Sequence, residues 1–188
     1  MPAETEIKFQ IADVARLENK LKEIGFRVKT PSTLEVNTLY DLPSGELRAK
    51  AEVLRIRRYG ETWKITHKTK GTMGRHKVRT ESETKVADGE QMDAILRALG
   101  FTPTFVYEKF RAEWTDGRGD VVVDRTPIGD IAEIEGAPEW IDEIAMRLGI
   151  SEQDYITKSY ALLFVEWRER TKSSAKNMTF QECGTAIG

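Results

Sequence analysis

Polar and apolar side chains alternate through much of this chain, and that period of two predicts strands. Between Thr5 and Ile11, Glu6 and Lys8 share one face with the preceding Glu4, while Ile7, Phe9 and Ile11 take the other. The same alternation predicts strands over Leu34–Asp41, Val53–Tyr59, Thr62–Thr69, Arg75–Val86, Thr104–Thr115, Asp120–Arg125 and Asp130–Glu135. Gly60 and the run Asp116–Gly119 read as hairpin turns, and Lys70–Gly74 as a loop. Helical stripes interrupt the strands. Asp13 caps a stripe of Val14, Leu17, Leu21 and Ile24 that Gly25 ends. Asp88 and Gln91 open a helix that runs to Leu99 and Gly100. A helix over Pro138–Leu148 ends at Gly149. A last helix, Ser159–Arg170, carries Tyr160, Leu163, Phe164 and Trp167 as its stripe.

A repeat runs through this pattern. Glu4-x-Glu6-x-Lys8 precedes a helix and Ile24-Gly25-Phe26, and Glu81-x-Glu83-x-Lys85 precedes a helix and Leu99-Gly100-Phe101. Glu133-x-Glu135 precedes a third helix and Leu148-Gly149-Ile150. Either a Glu-rich chain repeats by coincidence, or strand–helix units build a pseudo-symmetric barrel.

The charged strand faces change the picture further. Residues two apart share a face. So Arg55 joins Arg57, Lys64 joins Thr66 and Lys68, and Lys77, Arg79, Glu81 and Glu83 line up. Lys109 joins Arg111 and Glu113, Asp120 joins Asp124, and Glu133 joins Glu135. The opposite faces are apolar and suit the helix stripes. An open sheet would turn the charges to water. Eight strands also suffice to close a narrow barrel, and there both signs of charge would meet in one lumen. Such charge is costly unless paired, bound to metal or matched by a ligand. Arg and Lys suit phosphate oxygens, and paired carboxylates suit Mg²⁺ or Mn²⁺ rather than zinc.

Composition bounds the rest. The 188 residues suit one domain: 39% are hydrophobic, 32% charged, and the net charge is −2. That balance predicts no nucleic-acid partner. No apolar run is long enough to span a bilayer, the N-terminus does not resemble a signal peptide, and the single Cys183 cannot form an internal disulfide, so a cytoplasmic setting is expected. The two histidines, His67 and His76, form no zinc motif, and no P-loop or nucleophile elbow occurs. Residues 171–188 read as an exposed or frayed tail behind a domain of residues 1–170.

The ordered motifs resemble the CYTH superfamily of class IV adenylyl cyclases and thiamine triphosphatases. They are Glu4-Thr5-Glu6-Ile7-Lys8, Leu54-Arg55-Ile56-Arg57, Ile65-Thr66-His67-Lys68, Arg79-Thr80-Glu81-Ser82-Glu83, Glu108-Lys109-Phe110-Arg111, Val123-Asp124, Ala132-Glu133-Ile134-Glu135-Gly136 and Thr157-Lys158-Ser159-Tyr160. The resemblance implies an α+β fold: a closed antiparallel eight-stranded barrel, the triphosphate tunnel, with helices packed outside. It implies metal-facing carboxylates at Glu4, Glu6, Asp124, Glu133 and Glu135, with Mg²⁺ or Mn²⁺ as cofactor. Lys8, Arg55, Arg57, Lys68, Arg79, Lys109, Arg111 and Lys158 would hold phosphates. Glu81 and Glu83 would orient the basic residues or help a second metal, and Lys68 would activate water. The expected activity is hydrolysis of a small triphosphate: a nucleoside triphosphate, thiamine triphosphate or tripolyphosphate. A class IV adenylate cyclase is the alternative, and a non-catalytic polyphosphate-binding module the third. The stretch before Glu4 carries no His-Phe pair of the kind seen in some class IV cyclases, which weighs against a cyclase. Oligomeric state, a homodimer included, is left open.

Overall fold

The computed structural model describes residues 3–185, without the side chains of Ala3, Glu4 and Met73. The strands are β1 (Ala3–Gln10), β2 (Arg27–Asp41), β3 (Val53–Tyr59), β4 (Thr62–Lys68), β5 (Thr72–Met73), β6 (Lys77–Val86), β7 (Thr102–Thr115), β8 (Asp120–Thr126) and β9 (Gly129–Glu135). Six helices punctuate them: α1 (Val14–Glu23), α2 (Glu46–Ala49), α3 (Gly89–Ala98), α4 (Pro138–Leu148), α5 (Tyr160–Thr171) and α6 (Phe180–Cys183).

The strands pair in the order β1-β9-β8-β7-β2-β3-β4-β6, and β6 pairs back with β1. Eight antiparallel strands therefore close into a barrel, and β5 is a two-residue addition to β6. Closure removes the sheet edges that an open sheet would have to protect.

The helices cover the apolar faces as the alternation predicts. Ile7, Phe9, Val121, Val123 and Ile134 pack with Val14 and Leu21 of α1 and with Trp140, Ile141 and Ile144 of α4. Ile56 and Leu54 pack with Leu96 and Met92 of α3. Each fully buried Ile, Val or Leu contributes roughly 1.5–3 kcal/mol. The caps are also where the sequence puts them. Asp13 accepts from the Arg16 amide at 3.0 Å, and Asp88 from those of Glu90 and Gln91. Gly149 closes α4 at φ 78°, a conformation costly for other residues.

Three elements differ from the sequence reading. β2 begins at Arg27, seven residues early, because register shifts around Val28, Thr30 and Thr33 accommodate Pro31. α2 forms because the Asp41 carboxylate accepts from the amides of Leu42, Leu47 and Arg48. Residues 172–185 are not frayed: Ala175, Met178 and Phe180 are buried against the barrel. No helix among the described residues is long and apolar enough to cross a membrane.

Candidate functional site: a charged barrel lumen

Register decides which charges meet. On the β1–β9 ladder Glu6 lies opposite Glu135, and Lys8 opposite Glu133. On β1–β6 Glu6 lies opposite Lys77, and the Glu4 backbone opposite Arg79; the Glu4 side chain is outside the described residues. Arg55 and Arg57 face Thr66 and Lys64, and Lys68 faces Glu81. Arg111 faces Asp124. All of these positions have inward parity. Those with described side chains, apart from Lys64, Thr66 and Asp124, bound a cavity of about 360 Å³ that also receives Ser159, Tyr160 and Ala161 from the start of α5.

Three groups of charge divide this lumen. The first is acidic. One oxygen each from Glu6, Glu133 and Glu135 lies within 4.8 Å of the others. Lys8 Nζ sits 2.8 Å from Glu6 and 3.3 Å from Glu133, and Lys77 Nζ sits 2.7 Å from Glu6. Burial alone would raise the Glu6 carboxyl, and Glu133 pushes the same way, but Lys8 and Lys77 outweigh both and lower it to about 2. Glu133 is likewise held well below the carboxylate range by Lys8 and Arg111 against its burial. Lys8 rises despite its burial because Glu133 and Glu6 favour its charged form. Burial and neighbouring Lys8 instead lower Lys77. Three carboxyl groups within reach of one point, Glu6 and Glu133 among them held below the carboxylate range, form a hard-oxygen set that fits Mg²⁺ or Mn²⁺.

The second group is a buried floor. Asp124 is fully buried and accepts from Lys109 Nζ at 2.9 Å, from Arg111 Nε at 2.8 Å and NH2 at 2.6 Å, and from the Tyr160 hydroxyl at 2.6 Å. Arg111 also reaches Glu133 at 2.8 Å. Glu35, equally buried, lies 3.4 Å from Lys109 and 3.5 Å from Arg57. Burial would raise it, but Lys109, Arg111 and Arg57 hold it far below the usual range. Tyr160 is pushed well up by burial and by Asp124.

The third group is a basic wall. Arg57 donates to Glu83 at 2.9 Å, Lys64 donates to the same carboxylate, and Lys68 lies 2.7 Å from Glu81. Burial would raise the Glu83 carboxyl, yet Arg57 and Lys64 lower it. Arg55 donates weakly to Tyr107 and Thr66, both at 3.3 Å. The Nε atoms of Arg55, Arg57 and Arg79 are buried and, among the described residues, reach no acceptor. Buried donors are rarely left so, and oxyanions are suitable acceptors. Nine basic and seven acidic side chains line the cavity (Lys8, Lys29, Arg55, Arg57, Lys68, Lys77, Arg79, Lys109 and Arg111 against Glu6, Glu81, Glu83, Glu113, Asp120, Glu133 and Glu135), so both signs of charge face it.

The model of the CYTH domain matches residues 2–160. This chain belongs to the CYTH family. A candidate adenylate cyclase of Methanocaldococcus jannaschii is 29% identical over an alignment of 168 residues, with 84% of this chain and 95% of that protein covered. Among solved structures, a candidate adenylate cyclase of Vibrio parahaemolyticus superposes with a TM-score of 0.76 at 18% identity, covering 86% of this chain and 97% of that one. The Hippeastrum protein HpAC1, described as a candidate adenylyl cyclase with a dominant triphosphatase activity, gives 0.63 at 19% identity, covering 87% and 95%. The closed barrel is thus the CYTH tunnel fold.

Within this CYTH tunnel most of the residues singled out from the sequence converge. Glu6, Lys8, Arg55, Arg57, Lys68, Arg79, Glu81, Glu83, Lys109, Arg111, Glu133 and Glu135 all line one cavity. Two stand apart. Asp124 lies outside the carboxylate trio and serves as counter-ion to Lys109 and Arg111. Lys158 is half-exposed, pairs with Glu166 and does not line the cavity. Sequence reading missed Glu35, Lys77 and the tyrosines Tyr107 and Tyr160 as members of the site. Glu35-x-Asn37 carried the signal for the first: two polar residues with one parity inside an apolar strand. Lys77 was placed on the charged face but given no role. Tyr160 was read on a helix stripe and within a motif but given no role, Tyr107 drew no reading, and only the tertiary contacts show their hydroxyls meeting Asp124 and Arg55.

Proposed function

We propose that this CYTH protein is a phosphohydrolase that cleaves a small triphosphate and depends on Mg²⁺ or Mn²⁺. The supporting observation is the neighbourhood of two opposite needs in one enclosed space. Three carboxyl groups converge at Glu6, Glu133 and Glu135, while the buried Nε atoms of Arg55, Arg57 and Arg79 find no acceptor among the described residues. A polyphosphate and a hard cation answer both.

In this reading Glu6, Glu133 and Glu135 would hold the metal. A divalent cation bound there supplies charge neutralisation to the phosphate oxygens. Arg55, Arg57 and Arg79 grip and align the phosphate chain through charge-assisted hydrogen bonds. Lys8, Lys109 and Arg111 carry the positive field from the floor, preorganised by Glu35 and Asp124 before substrate arrives. Glu81 holds Lys68, and Glu83 holds Arg57 and Lys64, in fixed positions. Lys68 is the residue we assign to orient the attacking water. Positioning and electrostatics do most of the catalysis.

The resemblance to the Methanocaldococcus jannaschii protein supports the cyclase reading instead. Product analysis separates the two. Purified protein is incubated with ATP, thiamine triphosphate or tripolyphosphate, each with Mn²⁺ or Mg²⁺. Orthophosphate release from any of them, abolished by chelator, is the expected result. Cyclic AMP and pyrophosphate from ATP would replace this assignment with a cyclase, and binding without turnover would replace it with a binding module.

A further inference from the structure

The segment after α5 lies beyond the matched family region, which ends at residue 160. It occupies a particular place. β2 pairs with β7 from Thr102 to Thr115, but β8 covers only Phe110–Thr115 on the opposite edge. The edge around Val106 and Glu108 is covered instead by the C-terminal segment. Met178 N donates to Val106 O at 3.0 Å, Glu108 N to Met178 O at 2.9 Å, and Val106 N to the Asn177 side chain at 2.9 Å. Phe180 N donates to the Glu108 carboxylate at 3.0 Å. Backbone groups that would otherwise be orphaned find partners here. The turn is itself held by Glu182, which accepts from the amides of Lys176 and Asn177 at 2.7 and 2.9 Å.

Met178 is fully buried in one cluster with Tyr107, Tyr160 and Phe164. The Tyr107 and Tyr160 rings stack at 5.7 Å. Their hydroxyls point the other way, into the charged site: Tyr107 accepts from Arg55, and Tyr160 donates to Asp124. Lys109 Nζ also rests 4.5 Å from the centre of the Tyr160 ring. The chain of contact runs from the strap through two aromatic rings to the phosphate-facing cations.

We infer that residues 173–185 form a strap that closes the β7 edge and positions Tyr107 and Tyr160, and through them Arg55 and Lys109, for a polyphosphate. Met178, Asn177 and Glu182 are positioning residues; they do not touch the ligand. The inference rests on the triphosphate reading for its ligand and on packing for its geometry.

The test uses the full chain and inorganic tripolyphosphate, with binding followed by calorimetry. Met178→Ala weakens binding by about 10-fold, less than the roughly 100-fold that an ångström of misplacement costs a reacting group. Because Met178→Ala opens a cavity, Glu182→Ala is run beside it; it loosens the turn without touching the core and weakens binding by about 3-fold. Leu21→Ala, a buried α1 substitution remote from the tyrosines, lowers the melting temperature but leaves the Kd unchanged. Tyr107→Phe combined with Met178→Ala weakens binding by less than the two single changes added together, since part of the strap's effect runs through the Tyr107 hydroxyl. Fully additive losses, or strap variants that bind like wild type, would overturn the inference. The NMR signal of the Arg55 Nε–H gives a ligand-free reading: it shifts in Met178→Ala and Glu182→Ala and not in Leu21→Ala. Wild-type protein that fails to bind tripolyphosphate sinks the triphosphate reading alone, and the strap then stands or falls on that signal.

Discussion

The floor and the basic wall of the lumen use the same residue types under different burial, and they teach different things. On the floor, the side chains of Lys109, Glu35 and Asp124 are at most 2% exposed. On the wall, those of Lys64 and Glu83 are 31% and 21% exposed. Buried partners cannot be replaced by water, so the floor's charges are locked to one another as part of the fold. The wall's charges have water as an alternative and are available to a ligand. In the acid trio, Glu6 and Glu133 share the buried Lys8, and Glu6 also pairs with the cavity-lining Lys77.

The largest effect should come from the floor. Asp124→Ala leaves Lys109 and Arg111 with one counter-ion fewer and the Tyr160 hydroxyl without its acceptor. Urea unfolding should show a loss of about 3–5 kcal/mol. Glu83→Ala on the wall should cost under about 1 kcal/mol in the same measurement. Equal losses would erase the distinction between the two regions.

Next comes the trio. Glu6→Gln should lower metal-dependent kcat/KM by on the order of 100-fold and abolish Mn²⁺ binding by calorimetry. Full activity in this variant would defeat the metal assignment. The same carboxylate should shape acid stability. Its folded pKa lies near 2, below the ordinary 4.5, so its contribution is complete above pH 4.5 and is lost as pH falls from there towards 2. Glu6→Gln should therefore flatten the stability slope in that window, and an unchanged slope would contradict the assignment.

Smaller again is the wall's contribution to substrate. Arg57→Ala should lower kcat/KM by about 10-fold or more, the scale of one lost charged hydrogen bond. An unchanged kcat/KM would remove Arg57 from the site. The smallest effect belongs to Lys158, which pairs with Glu166 outside the cavity. Lys158→Ala should keep KM within about 2-fold of wild type, and a large rise would return it to the phosphate-binding set.

How much of this was legible beforehand depends on the range of the interaction. The period of two marked the inward faces of β1, β3, β4, β6, β7, β8 and β9, because side-chain direction in a strand is a local property. The four longer helices and the caps of α1 and α3 were legible for the same reason: Asp13 and Asp88 bond amides two or three residues away. β2 was read short because Pro31 looks like a break, and only pairing with β7 across register shifts shows otherwise. Strand order and barrel closure are non-local, and in the sequence they were supported by resemblance rather than by spacing.

By itself, then, the order of residues determined which side chains share a face and which helix ends are capped, since both follow from backbone geometry within a few residues. The tertiary structure decided who neutralises whom. Asp124 and Glu133 look alike in sequence, each an inward carboxylate on a late strand. One ends beneath Lys109, Arg111 and Tyr160, and the other joins Glu6 and Glu135. Burial and partner geometry, which exist only once distant strands pair, turn one into a structural counter-ion and place the other in a carboxyl trio, the proposed cation site.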